Sequence, residues 1–128
     1  MSADRQLERL IETAARDACI LAVLLFGSRA RGEDHDASDI DVCLVLKSEV
    51  LTDLLLSEKK HEYLSQFDLD VQVFQQLPLF MRHRVLRDGR VLYVRDEDLL
   101  YEKAFRTAQH YEDFRYRHEA YLEEVASG

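Results

Sequence analysis

The apolar positions of this chain fall into sharply different patterns. Leu7, Leu10, Ile11, Ala14 and Ala18 recur at helical spacing, which predicts an amphipathic helix over residues 4–18. Ile20–Phe26 is instead an unbroken apolar run that stops at Gly27, the pattern of a central strand covered on both faces. Residues 28–32 read as a helix start and residues 33–38 as a polar loop. Residues 40–46 form a second strand, with Asp39, Asp41 and Cys43 on one face and Ile40, Val42 and Leu44 on the other. Residues 49–65 read as a helix with Val50, Leu54, Leu55 and Leu64 turned inward. Residues 68–75 alternate as a third strand, with Asp68, Asp70 and Gln72 opposite Leu69, Val71 and Val73. Pro78 suits the first turn of a helix running to about residue 87. Asp88-Gly89 turns the chain into a short strand, Arg90–Val94, and a long helix follows over 97–125. The predicted order α-β-α-β-α-β-α-β-α describes an α/β (α+β) domain, a small sheet flanked by helices.

Laid over these elements, one spacing carries chemistry. Gly27-Ser28 is followed by ten residues and then Asp39-Ile40-Asp41. The pair of acids sits at i and i+2 of a strand, on one face and roughly 6–7 Å apart along it. Like charges that close repel unless a cation sits between them. Oxygen ligands in such a pair suit Mg²⁺, which takes one or two protein carboxylates together with substrate phosphates. Ser28 stands where the first strand turns toward a helix, so backbone N–H groups and its hydroxyl would face a phosphate. Gly27 lets the backbone approach that phosphate with no Cβ in the way. If the third strand lies beside the second, Asp70 joins the two acids in a two-metal site. Asp68 competes with it for that place, from the start of the strand. Arg29 and Arg31 follow the turn and either touch phosphates or stay in water; Arg29 is counted with Gly27 and Ser28 as nucleotide-binding.

Composition narrows the choice of partners. The 128 residues suffice for one domain, 1–128, and leave no room for two. Net charge is −8, from 25 acidic and 17 basic side chains, which argues against gripping a bare nucleic-acid backbone. The polar N-terminus shows no secretory signal and no run reaches 18 apolar residues, so the expected place is the cytoplasm, off the membrane. Cys19 and Cys43 make neither a disulfide framework nor a metal cluster, and both read as small buried apolar residues.

The stretches FGSRARGEDHDASDIDVCLVL, LDVQVF and RVLRDGRVLYVRDED, with the Tyr- and Phe-rich helix after them, resemble the nucleotidyltransferase superfamily of DNA polymerase β type. The likeness is to its minimal (MNT) form and, within that, to the MntA-type antitoxins, and it covers about residues 4–125. The resemblance implies a protein paired with a HEPN-type RNase toxin in a hetero-oligomer. It implies transfer of AMP from ATP to a tyrosine of that toxin. By position, Gly27 and Ser28 would hold the triphosphate and Asp39 and Asp41 would bind Mg²⁺, with two ions expected. Asp70 would complete the metal site or accept the proton. Two other readings stay open: an antitoxin that neutralises by binding alone, and nucleotidyl transfer to a small molecule such as an antibiotic.

Several residues are expected to carry no chemistry. The cluster Arg82-His83-Arg84 with Arg87 could line a nucleotide cleft but reads first as a helix face in water, and His35 as a surface residue. His61, His110 and His118 lie on helices at no ligand spacing. In the C-terminal helix, Tyr101 and Phe105 are expected to pack on the domain. The turns beyond about residue 110 outrun so small a sheet, and their aromatic residues are expected to form a surface for a partner or for self-association.

Overall fold

The computed structural model describes residues 3–27, 40–48 and 51–127. Helix α1 (Ala3–Arg16) leads into strand β1 (Ile20–Phe26), and β2 (Asp41–Leu46) follows. Next come α2 (Asp53–Gln66), β3 (Asp70–Val73), a 3₁₀ turn (Phe74–Gln76), α3 (Leu79–Asp88), β4 (Arg90–Val94) and α4 (Glu97–Ser127). The strands form one sheet in the order β3-β2-β1-β4. β1 pairs antiparallel with both β2 and β4, while β2 and β3 run parallel, joined through α2 as a parallel pair requires. The mixed sheet with flanking helices and a long terminal helix agrees with the expected fold class. The helix expected at residues 28–32 lies outside the described residues.

Two apolar layers enclose the sheet. On one face Leu10 and Ala14 of α1 and Leu56 and Tyr63 of α2 pack on Ile20, Val23, Val42, Leu44, Val71 and Val73. On the other, Leu21, Ala22, Leu24, Cys43 and Val45 meet Phe74, Val85 and the start of α4. Leu21 and Ala22 are consecutive yet share a face because β1 carries a bulge there: Ile20 stands opposite Leu46 but Ala22 opposite Val45. β1 and β2 are buried along nearly their whole length, as an unbroken apolar run demands.

Three expectations are corrected. Leu54, Leu55 and Leu64 of α2 are exposed, and the helix buries Leu56 and Tyr63 instead. Its inward stripe runs through Lys59 and Lys60, which hides the helical period from an apolar count. Cys19 is exposed, while Cys43 is buried and its thiol is pushed up to about 12 by that burial. Tyr101 and Phe105 of α4 are 74% and 54% exposed; the buried residues of that helix are Lys103 and Thr107.

Polar bonds tie the layers together. Arg95, just past β4, donates to the carbonyls of Ile20 (3.1 Å), Ala15 (2.9 Å) and Asp17 (3.1 Å), satisfying the open carboxyl end of α1. Asp17 itself accepts from Lys59 Nζ (2.9 Å), the Tyr63 hydroxyl (3.0 Å) and the Cys19 amide (3.0 Å), pinning α2 to the α1–β1 link. Burial disfavours the Asp17 charge, but hydrogen bonds from Lys59, Cys19 and Tyr63 outweigh it and hold the carboxyl below its ordinary range. A folded-state value below the unfolded one stabilises fully above the usual aspartate range, near 4, and that stability is lost as pH falls through the folded value. Asp17→Asn is therefore expected to lose about 1–2 kcal/mol at neutral pH. Its melting temperature should also fall less steeply than wild type between about pH 5 and pH 3, as thermal unfolding across that range would show.

Candidate functional site

β1 ends at Phe26, whose partner across the ladder is Asp41. The next residue, Gly27, has φ +81°, a left-handed backbone that glycine adopts without penalty. A Cβ at Gly27 would run into Oδ2 of Asp41, so the bend and the carboxylate occupy one tight corner. Only a residue with no side chain lets that carboxylate lie against the turn.

β2 and β3 are parallel, and their register sets Asp41 directly opposite Asp70. The backbone fixes this pairing further: the Asp70 amide donates to the Ile40 carbonyl at 3.0 Å. Asp41 alternates with Val42 and Asp70 with Val71, and both valines sit in the α1/α2 layer. The two acids therefore share the opposite face. They stand at the amino ends of their strands, beyond the cover of the second apolar layer; Asp41 is half-buried and Asp70 exposed. Neighbouring strands lie about 4.8 Å apart, a separation at which two carboxylates repel unless a cation intervenes. Paired hard oxygens beside a glycine bend fit a small divalent cation with phosphate oxygens as its other ligands. Among the described residues no group of three or more acidic, His or Cys side chains gathers as a ready cation cage. Ser28, Arg29 and Asp39, which the spacing assigns to the same site, lie outside the described residues, as do Arg31 and His35. Asp68 precedes β3 and is exposed, and Asp70 takes the place opposite Asp41.

Two residues near the site give no signal in the sequence. Gln72 Nε2 donates to Asp70 Oδ1 at 3.1 Å, and Lys60 Nζ donates to Gln72 Oε1 at 3.1 Å. This chain runs from α2 around the sheet edge and fixes the orientation of the Asp70 carboxylate. Such partners commonly change metal affinity or activity 10- to 100-fold. Gln72→Met keeps the shape and deletes the amide, so nucleotidyl transfer should drop about tenfold with little change in melting temperature, measured by initial rates and thermal unfolding.

The basic residues of α3 divide in their surroundings. Arg84 and Arg87 are exposed, and Arg87 pairs with Asp88. His83 stacks on Tyr111 of α4, centroids 3.8 Å apart and planes 7° apart. Arg82 lines a cavity of about 520 Å³ with Lys103, Arg106 and His110, and its buried Nε has no hydrogen-bond partner among the described residues. That cavity borders Leu51, Phe74 and Gln75 at the carboxyl ends of β2 and β3, a strand's length from Asp41 and Asp70. His61 and His110 are exposed, and His118 stacks on Phe114.

The model of the polymerase beta nucleotidyltransferase family matches residues 8–98, and the chain belongs to that family. A Methanocaldococcus jannaschii protein, provisionally named a protein adenylyltransferase, is 28% identical over 74 residues, 58% of this chain. The match spans 56% of that relative's own length. Among solved structures, a chain of a toxin–antitoxin complex with AMP-PNP superposes with a TM-score of 0.66 at 21% identity, over 94% of this chain and 96% of the other. A chain from the complex of tri-AMPylated Shewanella oneidensis HEPN toxin with MNT antitoxin gives 0.66 at 20% identity, over 96% and 98%. A provisionally named nucleotidyltransferase of Sulfolobus solfataricus gives 0.51 at 27% identity, over 73% and 81%. No helix of the described residues is long and apolar enough to cross a membrane.

Proposed function

We propose that this chain is an antitoxin that transfers AMP from ATP, with Mg²⁺, to a tyrosine of a HEPN-type RNase toxin. The observation that carries the reading is Asp41 in register with Asp70, its carboxylate lodged against Gly27 at φ +81°. Its support beyond the family itself is the kind of protein the chain resembles, a protein adenylyltransferase by name and toxin–antitoxin complexes by fold.

In this reading Gly27, Ser28 and Arg29 hold the triphosphate. Asp39, Asp41 and Asp70 hold Mg²⁺, with two ions expected. The bound metal supplies charge neutralisation on the phosphate oxygens and a template for in-line displacement. The tyrosine hydroxyl attacks the α-phosphorus. A new P–O bond forms, the bond to the β-phosphate oxygen breaks, and pyrophosphate leaves. A phenol near pKa 10 must give up its proton to attack. In this reading Asp70 completes the metal site or accepts that proton, in either case through Oδ2, since Gln72 donates to Oδ1. Positioning and electrostatics carry the rate, as in phosphoryl transfer generally.

Clustered acids also favour catalysis over neutralisation by binding alone, since a site that only docked a partner would have no use for two repelling carboxylates. The test is to incubate the protein with α-labelled ATP, Mg²⁺ and its cognate HEPN protein, which this reading expects to be encoded beside it. Label on a tyrosine of that protein, absent with chelator, is expected. Label on the chain itself alone, or none on the HEPN protein, would sink the assignment.

A further inference from the structure

α4 is 31 residues long, but only its first half is covered. Leu100, Ala104, Thr107 and Tyr111, spaced 4-3-4, form the covered edge. Leu100 packs in the α3/α4 layer, Thr107 is buried, and Tyr111 lies on His83. The alternation does not stop where the cover does. Phe114, His118, Tyr121 and Val125 continue it at 3-4-3-4, and Phe114, Tyr121 and Val125 are each more than half exposed. Phe114 and His118 stack with centroids 5.9 Å apart and planes 8° apart, so the stripe is continuous. An apolar repeat of 3.5 residues is the seam of a coiled coil.

We propose that residues 112–127 of α4 pair antiparallel with the same segment of a second copy of this chain. The charges beside the seam select that occupant. Setting Phe114 against Val125 of the other copy sets His118 against Tyr121, and the two-fold axis repeats both layers. The same register brings Arg117 opposite Glu124 of the other copy, twice, and Arg115 opposite Leu122, twice, where the arginine stem covers the leucine. Neither Arg117 nor Glu124 forms an ion pair among the described residues. A parallel pair would instead stack Phe on Phe and His on His, and would leave Arg117 facing Leu122. A partner of unrelated sequence would have no reason to match the seven-residue interval between this chain's own Arg117 and Glu124. The body already anchors the helix at Leu100–Tyr111, so pairing carries little of the ordering cost that makes short isolated coiled coils marginal. The interface is isologous and closed, hence a dimer rather than a filament.

Sedimentation equilibrium of the full chain at about 50 μM is expected to give twice the mass of one chain, with dissociation on dilution. Arg117→Glu sets two like-charged pairs across the seam and should weaken the dimer about tenfold. The swap Arg117→Glu with Glu124→Arg restores two opposite pairs and should recover the dimer. Phe114→Glu with Val125→Glu should give a monomer whose melting temperature matches that of wild type diluted to its monomeric range, since these residues lie outside the core. A chain that stays monomeric throughout this range overturns the proposal, and so does a charge swap no tighter than Arg117→Glu alone.

Discussion

Asp41→Asn is expected to reduce AMP transfer on the order of 10³-fold or more while the fold persists. The carboxylate stands opposite Asp70 on the neighbouring parallel strand, and its Oδ2 lies in the corner made by Gly27. Asparagine keeps the size and one carbonyl oxygen there, so nothing in the packing changes. The negative charge is lost, and with it one of the hard oxygens a small cation needs to offset its hydration. Stabilising charge on a transferring phosphoryl group contributes several kcal/mol, and about 4 kcal/mol corresponds to about 10³-fold in rate. Folding should change little, since asparagine keeps the side chain's size and polarity at the amino end of β2. Two measurements separate a lost ligand from a damaged fold. In single-turnover labelling the variant should be near background. In thermal unfolding wild type should gain stability from Mg²⁺ plus a non-hydrolysable ATP analogue, by mass action on the folded state, and the variant should not. Transfer within about tenfold of wild type, or an unchanged response to Mg²⁺, would remove Asp41 from the site.

The strands of this protein are legible in its sequence because burial on both faces demands unbroken apolar runs, and Ile20–Phe26 is one. The side of the sheet that Asp41 and Asp70 occupy is legible from alternation alone. That they face each other is not: alternation fixes a face, whereas register is set by the parallel pairing of β2 with β3. Gln72 and Lys60 escape sequence reading because a polar residue on an edge strand and a lysine on a helix both look solvated. The inward face of α2 escapes for a related reason. Lys59 and Lys60 sit in the buried stripe by bonding Asp17 and Gln72, so the leucines counted as core point to water. The bulge at Leu21–Ala22 leaves no mark in a run where every residue is apolar. In α4 the abundance of aromatic residues is legible, but Tyr101 and Phe105 lie on the outer side, each two positions before a buried residue, Lys103 and Thr107.

Gly27→Ala should lower transfer about 10²-fold and, unlike Asp41→Asn, lower the melting temperature as well. Two costs combine at this residue. At φ +81° an L side chain is strained by about 1–2 kcal/mol. The added methyl also meets Asp41 Oδ2, which has to turn away. A carboxylate displaced by an ångström at a site of this kind loses much of its effect on rate, because the ligand geometry was fixed before substrate arrived. Gly89→Ala provides the comparison. Its Cβ would meet the Val85 carbonyl, the acceptor of the Gly89 amide at the end of α3, with no contact to Asp41 or Asp70. That variant should melt at a lower temperature yet transfer AMP at a near wild-type rate per folded molecule. If Gly27→Ala behaves like Gly89→Ala, the glycine serves the turn alone. If its rate falls while Mg²⁺ still raises its melting temperature as in wild type, the methyl acts on nucleotide placement rather than on the Asp41 carboxylate.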